Sequence, residues 1–219
     1  MKKMRTFIVF VCVYFTVAST VYAAESQTAL VTDELYKDME QLKYPKVSEV
    51  NNREMEVTIN KNFHEYIKAS YQELKENKKQ ANQHGFQADY QTAYEVKYNT
   101  TPRLSILTSN YIFSGGAHGN TIVQSLNYDI EAEKRVYLTD ILTTEKQIKA
   151  VRDYVWEYAI ERPDIFYPDL KKEDIKLTKD TAFYFVDDGI ILVFQQYEIA
   201  PYVSGNQEIH IPAEVYEKS

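Results

Sequence analysis

The amino-acid sequence predicts an α+β fold, in which an antiparallel (or mixed) sheet of about five to seven strands carries two main helices. Apolar residues recur at three- and four-residue steps in two segments, 51–75 and 145–162, which is the pattern of an amphipathic helix. Over 86–99, apolar or aromatic residues instead alternate with polar ones, which is the pattern of a strand with one face in water. Short turns join the strands that follow, and such turns favour antiparallel pairing.

The first predicted elements are a short extended segment and a long helix. Residues 43–47 are expected to be extended because Pro45 pushes the residue before it toward β geometry. The helix begins at Asn51, its predicted N-cap, with Glu54 three residues on, and it fades into polar residues at 76–80. Its apolar stripe consists of Met55, Ile59, Phe63, Ile67, Tyr71 and Leu74.

Three long strands follow, joined as an antiparallel meander. The turn Thr101-Pro102 joins the first two strands, and a glycine-rich corner joins the second to the third. Residues 131–134 then turn the chain into the apolar segment 136–138. The three strands cover 86–99, 104–113 and 121–130.

The remaining residues predict a second helix, a hairpin and a last strand. Thr144 and Gln147 have the spacing of a capping box, which opens a helix over 145–162. The turn at 187–189 contains a glycine and joins two apolar strands as a hairpin, and the last strand ends at Pro212. The helix buries Ile148, Val151, Val155 and Ala159, and the strands cover 183–186, 190–194 and 208–211.

The first residues resemble an export signal. Basic residues over 2–5 precede an uncharged, mostly apolar run over 7–21, and Ala23 offers a cleavage site. The apolar run is short for a membrane-spanning helix, which needs about 20 apolar residues. An uncleaved N-terminal anchor is the alternative, and only in that case do we expect the protein to be bound to a membrane.

The expected organisation is therefore a signal peptide, a leader and one folded unit. The signal peptide covers 1–23, and a polar, acidic segment at 24–42 is expected to be a mobile leader. Residues 43–219 are expected to form a single α+β domain, with halves at 43–130 and 131–219 as an open alternative.

Composition narrows the classes of function. Cys12 is the only cysteine and lies in the predicted signal, so the mature chain would form no disulfide and no Cys-based metal site. Removal of Lys2, Lys3 and Arg5 from 25 basic residues leaves 22 against 32 acidic residues, a net charge of −10. Such a surface repels polyanions such as nucleic acid and the anionic polymers of a cell wall, and it favours cationic partners.

A glycine-rich corner is the first candidate site. Three of the 6 glycines lie within residues 115–119, between Ser114 and Asn120, and glycine serves where the backbone needs a positive φ or a close approach. Ser114 and His118 could be the nucleophile and base of a cell-wall-modifying hydrolase. A nucleophile elbow, however, places its serine between two glycines on a strand-to-helix turn, whereas a strand is expected to follow here. No orienting acid is evident for the remaining histidines, His64, His84 and His210.

The second candidate site is the polar, aromatic segment 196–205, which follows an apolar strand. The chain has 19 tyrosines, whose amphipathic rings suit stacking on sugars or protein interfaces. Pro201 and Gly205 restrict the shape of the segment, and loops of this kind carry binding more often than cores do. We therefore expect no catalytic residue and six binding residues: Ser114, His118, Asn120, Tyr197, Glu198 and Tyr202.

The segment 185–189 is close to the Phe-Asp-Asp-Gly metal motif of polysaccharide deacetylases. Val186 interrupts that motif, and the paired His-x-x-x-His ligands of those enzymes are absent from the sequence. We interpret the segment as a hairpin turn and expect neither a metal ion nor a cofactor.

Four segments occur in the order found in a known family. Together they resemble a family of extracytoplasmic domains in Gram-positive bacteria, and the resemblance covers about 43–214. The family includes the ectodomain of the lysozyme-sensing anti-sigma-V factor and the N-terminal accessory domain of a peptidoglycan deacetylase. The segments are Gly-Gly-Ala-His-Gly (115–119), Leu-Thr-Asp-Ile-Leu (138–142), Phe-Gln-Gln-Tyr-Glu-Ile-Ala-Pro-Tyr (194–202) and Ile-His-Ile-Pro (209–212).

The resemblance implies an α+β fold and a secreted, non-enzymatic binding role at the cell envelope. Its expected ligand is lysozyme, another cationic protein, or peptidoglycan. The alternative function is the hydrolase that would use Ser114 and His118. Nucleic acid is not an expected partner.

Overall fold

The computed structural model describes residues 28–218. The predicted signal peptide, with Cys12, lies outside these residues, as do the first residues of the predicted leader. The described chain forms nine strands in three antiparallel sheets and four helices, of which two are long. This arrangement confirms the α+β class and the two main helices, with more strands than the expected five to seven.

The first sheet is a hairpin formed by β1, Leu30–Leu35, and β2, Lys43–Ser48. Its first strand lies within 24–42, where the sequence predicts a mobile leader. The acidic residues that suggest a solvated leader face lysines across the hairpin: Asp33 and Glu34 each lie 2.6 Å from a lysine Nζ of β2. Leu42, at the end of the same segment, is fully buried.

The first long helix, α1, covers Arg53–His84. Its N-cap is Asn52, one residue later than predicted, because the Asn52 side chain accepts hydrogen bonds from the N–H groups of the second and third helical residues. The helix also continues through 76–80, where the sequence predicts that it fades. Asn77 and Ala81 are buried there, so tertiary packing extends the helix beyond its apolar stripe.

The second sheet is the predicted meander, with a fourth, short strand at its edge. Its central strands are buried on both faces: Leu104 and Ile106 pack with residues of α1, and Leu107 packs with residues of the third sheet. The strands are β3, Ala88–Thr100; β4, Arg103–Ser114; β5, Asn120–Asp129; and β6, Lys134–Val136.

The rest of the chain forms the third sheet and the remaining helices. Leu138 opens the short helix α2 rather than continuing the apolar segment 136–138 as one extended piece. The predicted capping box of Thr144 and Gln147 is present at the start of the next helix, which ends two residues before the predicted Arg162. The elements are α2, Leu138–Ile141; α3, Glu145–Ile160; β7, Ala182–Val186; β8, Gly189–Phe194; β9, Gln207–Pro212; and α4, Ala213–Glu217.

These elements stack in four layers. The order is α1, the four-stranded sheet, the three-stranded sheet and α3, with a core between each pair of layers. Side chains of the second sheet also bond to the backbone of β7: Ser105 Oγ accepts from the N–H of Phe185 and Ser125 Oγ from the N–H of Phe183, while Asn127 Nδ2 donates to the Phe183 carbonyl. In residues 28–218, no helix has the length and apolarity needed to cross a membrane.

Candidate functional site

The glycine-rich corner joins β4 to β5, as predicted. Gly115 and Gly116 have φ values of 79 and 94, a left-handed conformation that side chains rarely adopt. Gly119 serves a different purpose, because a Cβ atom there would overlap the ring of Tyr111. The corner is therefore a tight turn whose last glycine is covered by a tyrosine of the preceding strand.

His118 lies at this corner against two tyrosines of the segment that follows β8. Its ring stacks on that of Tyr202, with centroids 3.8 Å apart and an interplanar angle of 19°. Its Nε2 lies 3.2 Å from the hydroxyl of Tyr197, and the two tyrosine rings are 5.7 Å apart. We refer to His118, Tyr197 and Tyr202 as the aromatic cluster.

The aromatic cluster faces solvent. Tyr197 is 51% exposed and its φ is 67, so the backbone adopts a strained conformation while presenting an aromatic ring to water. Val203, next to the cluster, is 90% exposed. A shallow depression of about 530 Å³ opens beside His118 and is also lined by Asp89, Tyr111 and Phe113. Exposed apolar and aromatic surface of this kind is typical of a binding site.

Two glutamines fasten the cluster to β5. This half of β5 pairs only with β4, since β6 reaches no further than Asn127. On the open edge, the N–H of Thr121 donates to Gln196 Oε1 over 2.8 Å. Gln195 takes both backbone groups of Val123: its Oε1 accepts from the N–H over 3.0 Å and its Nε2 donates to the carbonyl over 2.8 Å. The amide side chains thus replace a neighbouring strand and hold the Tyr197 loop against the corner.

Glu198 is half-buried and supports the loop. Its carboxylate accepts a hydrogen bond from the N–H of Gln195 over 2.8 Å. Burial raises the pKa of the Glu198 carboxyl, and this hydrogen bond partly opposes the rise. Its position contrasts with that of the exposed ring of Tyr197 beside it.

Ser114 and His118 are engaged with different partners. The Ser114 hydroxyl donates to Asn77 Oδ1 on α1 over 2.6 Å. His118 Nδ1 lies 3.0 Å from the carbonyl of Gly119, a backbone group rather than a carboxylate. Asn120 has a buried Oδ1 with no hydrogen-bond partner among the described residues. The structure therefore brings His118 together with Tyr197 and Tyr202, and it directs Ser114 toward α1.

The segment 185–189 forms the β7–β8 hairpin, as predicted. Sequence reasoning missed one pair there, because strand register rather than spacing creates it: His210 Nε2 lies 2.9 Å from Asp188 Oδ1, and both side chains are exposed. Within the described residues, no three His, Cys, Asp or Glu side chains are grouped in a way that could hold a metal ion.

Comparison with protein families divides the chain at β5. Residues 32–121 match the family described as deacetylase PdaC, and residues 127–214 match a family described as a protein of unknown function, DUF3298. The first match contains His118 and the second contains Tyr197 and Tyr202. The aromatic cluster is thus assembled from both matched segments.

One curated relative and two solved structures are similar to the chain. The peptidoglycan-N-acetylmuramic acid deacetylase PdaC of Bacillus subtilis strain 168 is 28% identical over 132 residues, which cover 54% of this chain and 26% of that protein. A DUF3298 family structure from Bacteroides fragilis NCTC 9343 has a TM-score of 0.57 at 19% identity, covering 88% of this chain and 94% of that one. A second, from Pseudomonas aeruginosa PAO1, has a TM-score of 0.52 at 16% identity, with coverages of 88% and 92%. These two likenesses establish the fold alone.

Proposed function

We propose that this chain is a non-enzymatic, peptidoglycan-binding domain of the bacterial cell envelope, exported by the predicted signal, and that the aromatic cluster is its contact surface. The observation that carries the proposal is the stacking of His118 on Tyr202, with Tyr197 exposed beside them. The cluster is held in place by hydrogen bonds: the backbone N–H groups of Thr121 and Val123 donate to the side chains of Gln196 and Gln195, which precede Tyr197.

The chemistry of the cluster suits a sugar. A saccharide ring has an apolar C–H face and a polar rim of hydroxyls. Tyr197 presents an exposed ring with a hydroxyl at one end, and the stacked rings of Tyr202 and His118 lie beside it. The open depression beside His118, about 530 Å³, gives a glycan room to lie along the corner.

The Bacillus subtilis relative supports the class of ligand. Its name gives peptidoglycan N-acetylmuramic acid as what it acts on, and this chain spans about a quarter of its length. Because the match covers only about a quarter of that enzyme, we do not extend its deacetylase activity to this chain. The hydrogen bonds of Ser114 to Asn77 and of His118 to Gly119 weigh against a hydrolase that would use this pair.

A cationic protein such as lysozyme is the second candidate ligand. The observation that favours it is the charge of the chain, −7 for the full sequence. Long-range attraction of this kind accelerates association with a cationic partner and weakens as salt increases. The expected resemblance to the anti-sigma-V ectodomain stays a prediction.

Co-sedimentation with purified peptidoglycan, alongside capture of lysozyme, tests the proposal. We expect wild type to sediment with peptidoglycan and Tyr197→Ala to lose up to about tenfold in affinity, since a stacked aromatic contributes about 0.5–1.5 kcal/mol beyond its burial. Val57→Ala, which trims an apolar side chain 56% exposed on α1, is the matched control and should bind like wild type.

Three results would contradict the proposal. Wild type that binds lysozyme but not peptidoglycan would support the second candidate. Equal binding by wild type and Tyr197→Ala would remove the cluster from the contact surface. Release of a product from wall glycan by wild type, lost in folded His118→Ala, would support the hydrolase instead.

A further inference from the structure

A second cleft lies further along the open edge of β5. It has a volume of about 260 Å³, somewhat below the roughly 300–1,000 Å³ of pockets that enclose a drug-sized ligand. It therefore fits a substituent of a ligand better than a whole one. Its walls come from β5, from β6 and from the turn before β7; the lining includes Ser125, Arg135, Tyr137, Lys179 and Asp180.

Two cations share one aromatic ring in this cleft. The Arg135 guanidinium carbon lies 4.9 Å from the ring centroid of Tyr137, and Lys179 Nζ lies 4.2 Å from the same centroid. The two charges therefore lie no further apart than the sum of these distances. Tyr137 partly compensates each cation through its ring, but it supplies no negative charge to either.

Neither cation has a carboxylate partner in the part of the chain that the structure describes. In residues 28–218, no Asp or Glu oxygen lies within 4.0 Å of Arg135 or Lys179, whereas Lys43 and Lys172 elsewhere in the fold have such partners at 2.6 and 2.8 Å. Arg135 Nη2 donates to the carbonyl of Ser125 over 3.3 Å, and its buried Nε has no acceptor among the described residues. Buried donors of this kind are normally satisfied, so the guanidinium has unused capacity for an anion.

The charge of the cleft selects the anion. Asp180 is the one acidic residue in its lining, and it offsets one of the two cations. The remaining single positive charge matches a monoanion such as a carboxylate, and it is too small for a phosphate monoester, which carries about −1.5 to −2 at neutral pH. In a chain of net charge −7, this local excess of positive charge runs against the general trend of the surface.

We propose that the Arg135–Lys179 cleft binds a carboxylate of the ligand. This inference rests on the proposed function, because peptidoglycan carries free carboxylates on its peptides, and on the lactyl substituent of N-acetylmuramic acid wherever the peptide has been removed. The cleft and the aromatic cluster lie on one strand edge: Gln196 holds Thr121 and Arg135 holds Ser125, four residues on. At about 3.3 Å per residue, the two points are about 13 Å apart, so one oligosaccharide can contact both.

NMR titration with a matched pair of ligands tests the inference. The probes are N-acetylmuramic acid and its lactyl carboxamide, which differ in charge and hardly in shape. We expect wild type to bind the acid about tenfold more tightly than the amide, as a charge-assisted hydrogen bond implies, and to shift the Arg135 Nε–H signal only with the acid. Arg135→Gln and Lys179→Gln should each reduce this preference, and Asp180→Asn should increase it.

Lys146→Gln is the control for overall charge, because Lys146 is exposed on α3 and outside the cleft. It should keep the preference of wild type. Equal binding of acid and amide by wild type, an unchanged preference in folded Arg135→Gln and Lys179→Gln, or a stronger response to inorganic phosphate than to the acid would overturn the inference. Tyr197→Ala should leave the binding of these single-sugar probes unchanged, because Tyr197 does not line the cleft, and it should weaken only co-sedimentation with peptidoglycan, so loss of the aromatic contact is distinguishable from loss of the carboxylate site.

Discussion

Gly119 and Tyr111 show how closely the corner beneath the aromatic cluster is packed. Because a Cβ atom at Gly119 would overlap the Tyr111 ring, Gly119→Ala should lower the free energy of unfolding by about 1–3 kcal/mol, as overpacking does. Urea denaturation measures this change. In a Tyr111→Leu background the cost should shrink.

The control for this prediction is Gly116→Ala. A Cβ there would meet open space, but φ is 94, so the substitution should cost about 1–2 kcal/mol through backbone strain. That cost should be the same in the wild-type and Tyr111→Leu backgrounds. If Gly119→Ala also costs the same in the wild-type and Tyr111→Leu backgrounds, contact between Gly119 and Tyr111 does not determine the shape of the corner.

Glu198 gives the site a pH dependence. Burial raises the pKa of its carboxyl in the folded chain, so the folded state holds the proton at pH values where the unfolded chain has released it. The free energy of unfolding should therefore fall as pH rises from the ordinary value near 4.5 through the raised pKa, and the loss is complete above that pKa.

Urea titrations of wild type and Glu198→Gln between pH 4 and pH 7 measure this effect. The variant should gain stability relative to wild type as pH rises, and Glu157→Gln, an exposed change on α3, should show no such trend. A Glu198→Gln difference that stays constant, or that reverses sign with rising pH, would mean that the Glu198 carboxyl is not disfavoured by its site.

Among the secondary-structure elements, β5 has an open edge whose backbone groups are hydrogen-bonded by glutamine side chains in place of a neighbouring strand. Gln195→Glu removes the donor to the Val123 carbonyl and places a carboxylate against it. We expect a loss of about 1–3 kcal/mol in the free energy of unfolding, because a buried backbone group is left unpaired. Gln124→Glu, a substitution at an exposed position of β5, should leave the free energy of unfolding within about 0.5 kcal/mol of wild type. Similar losses in both variants would argue against the clamp.

The sequence predicts elements well where one local pattern decides, and less well where a distant partner does. The capping box at Thr144 and the meander strands follow from local spacing, and the structure confirms them. The sequence predicts a mobile leader where β1 lies, because Asp33 and Glu34 come close to their lysine partners only once β2 has paired with β1. The extension of α1 past residue 76 likewise depends on burial of Asn77, whose amide bonds the backbone of two strands.

In the candidate site, too, local sequence patterns predict the segments, whereas the contacts between them depend on the fold. Sequence patterns point to the glycine corner and to the Tyr197 loop as separate segments. Only the fold places the ring centroids of His118 and Tyr202 3.8 Å apart, and only the fold lets the Ser114 hydroxyl donate a hydrogen bond to Asn77. No spacing rule predicts either contact, because strand register and the packing of α1 determine them.

At the scale of the molecule, the two sheets are joined by buried side-chain hydrogen bonds as well as by apolar packing. Ser105→Ala should cost about 1–3 kcal/mol, because it leaves the buried N–H of Phe185 without an acceptor. Ser109→Ala, a half-buried position on the same strand without a side-chain hydrogen bond in residues 28–218, should cost less. If the layers unfold as one unit, Ser105→Ala moves the whole transition; a separate early transition would show that the sheets unfold independently.

We propose that the aromatic cluster, built from both matched segments of the chain, contacts peptidoglycan. Hydrogen–deuterium exchange with and without soluble peptidoglycan fragments measures this contact, because protection reports which backbone segments a ligand covers. We expect protection in both 114–121 and 195–205, and loss of that protection in Tyr197→Ala. Protection confined to other segments, or an exchange pattern that the fragments leave unchanged, would contradict it.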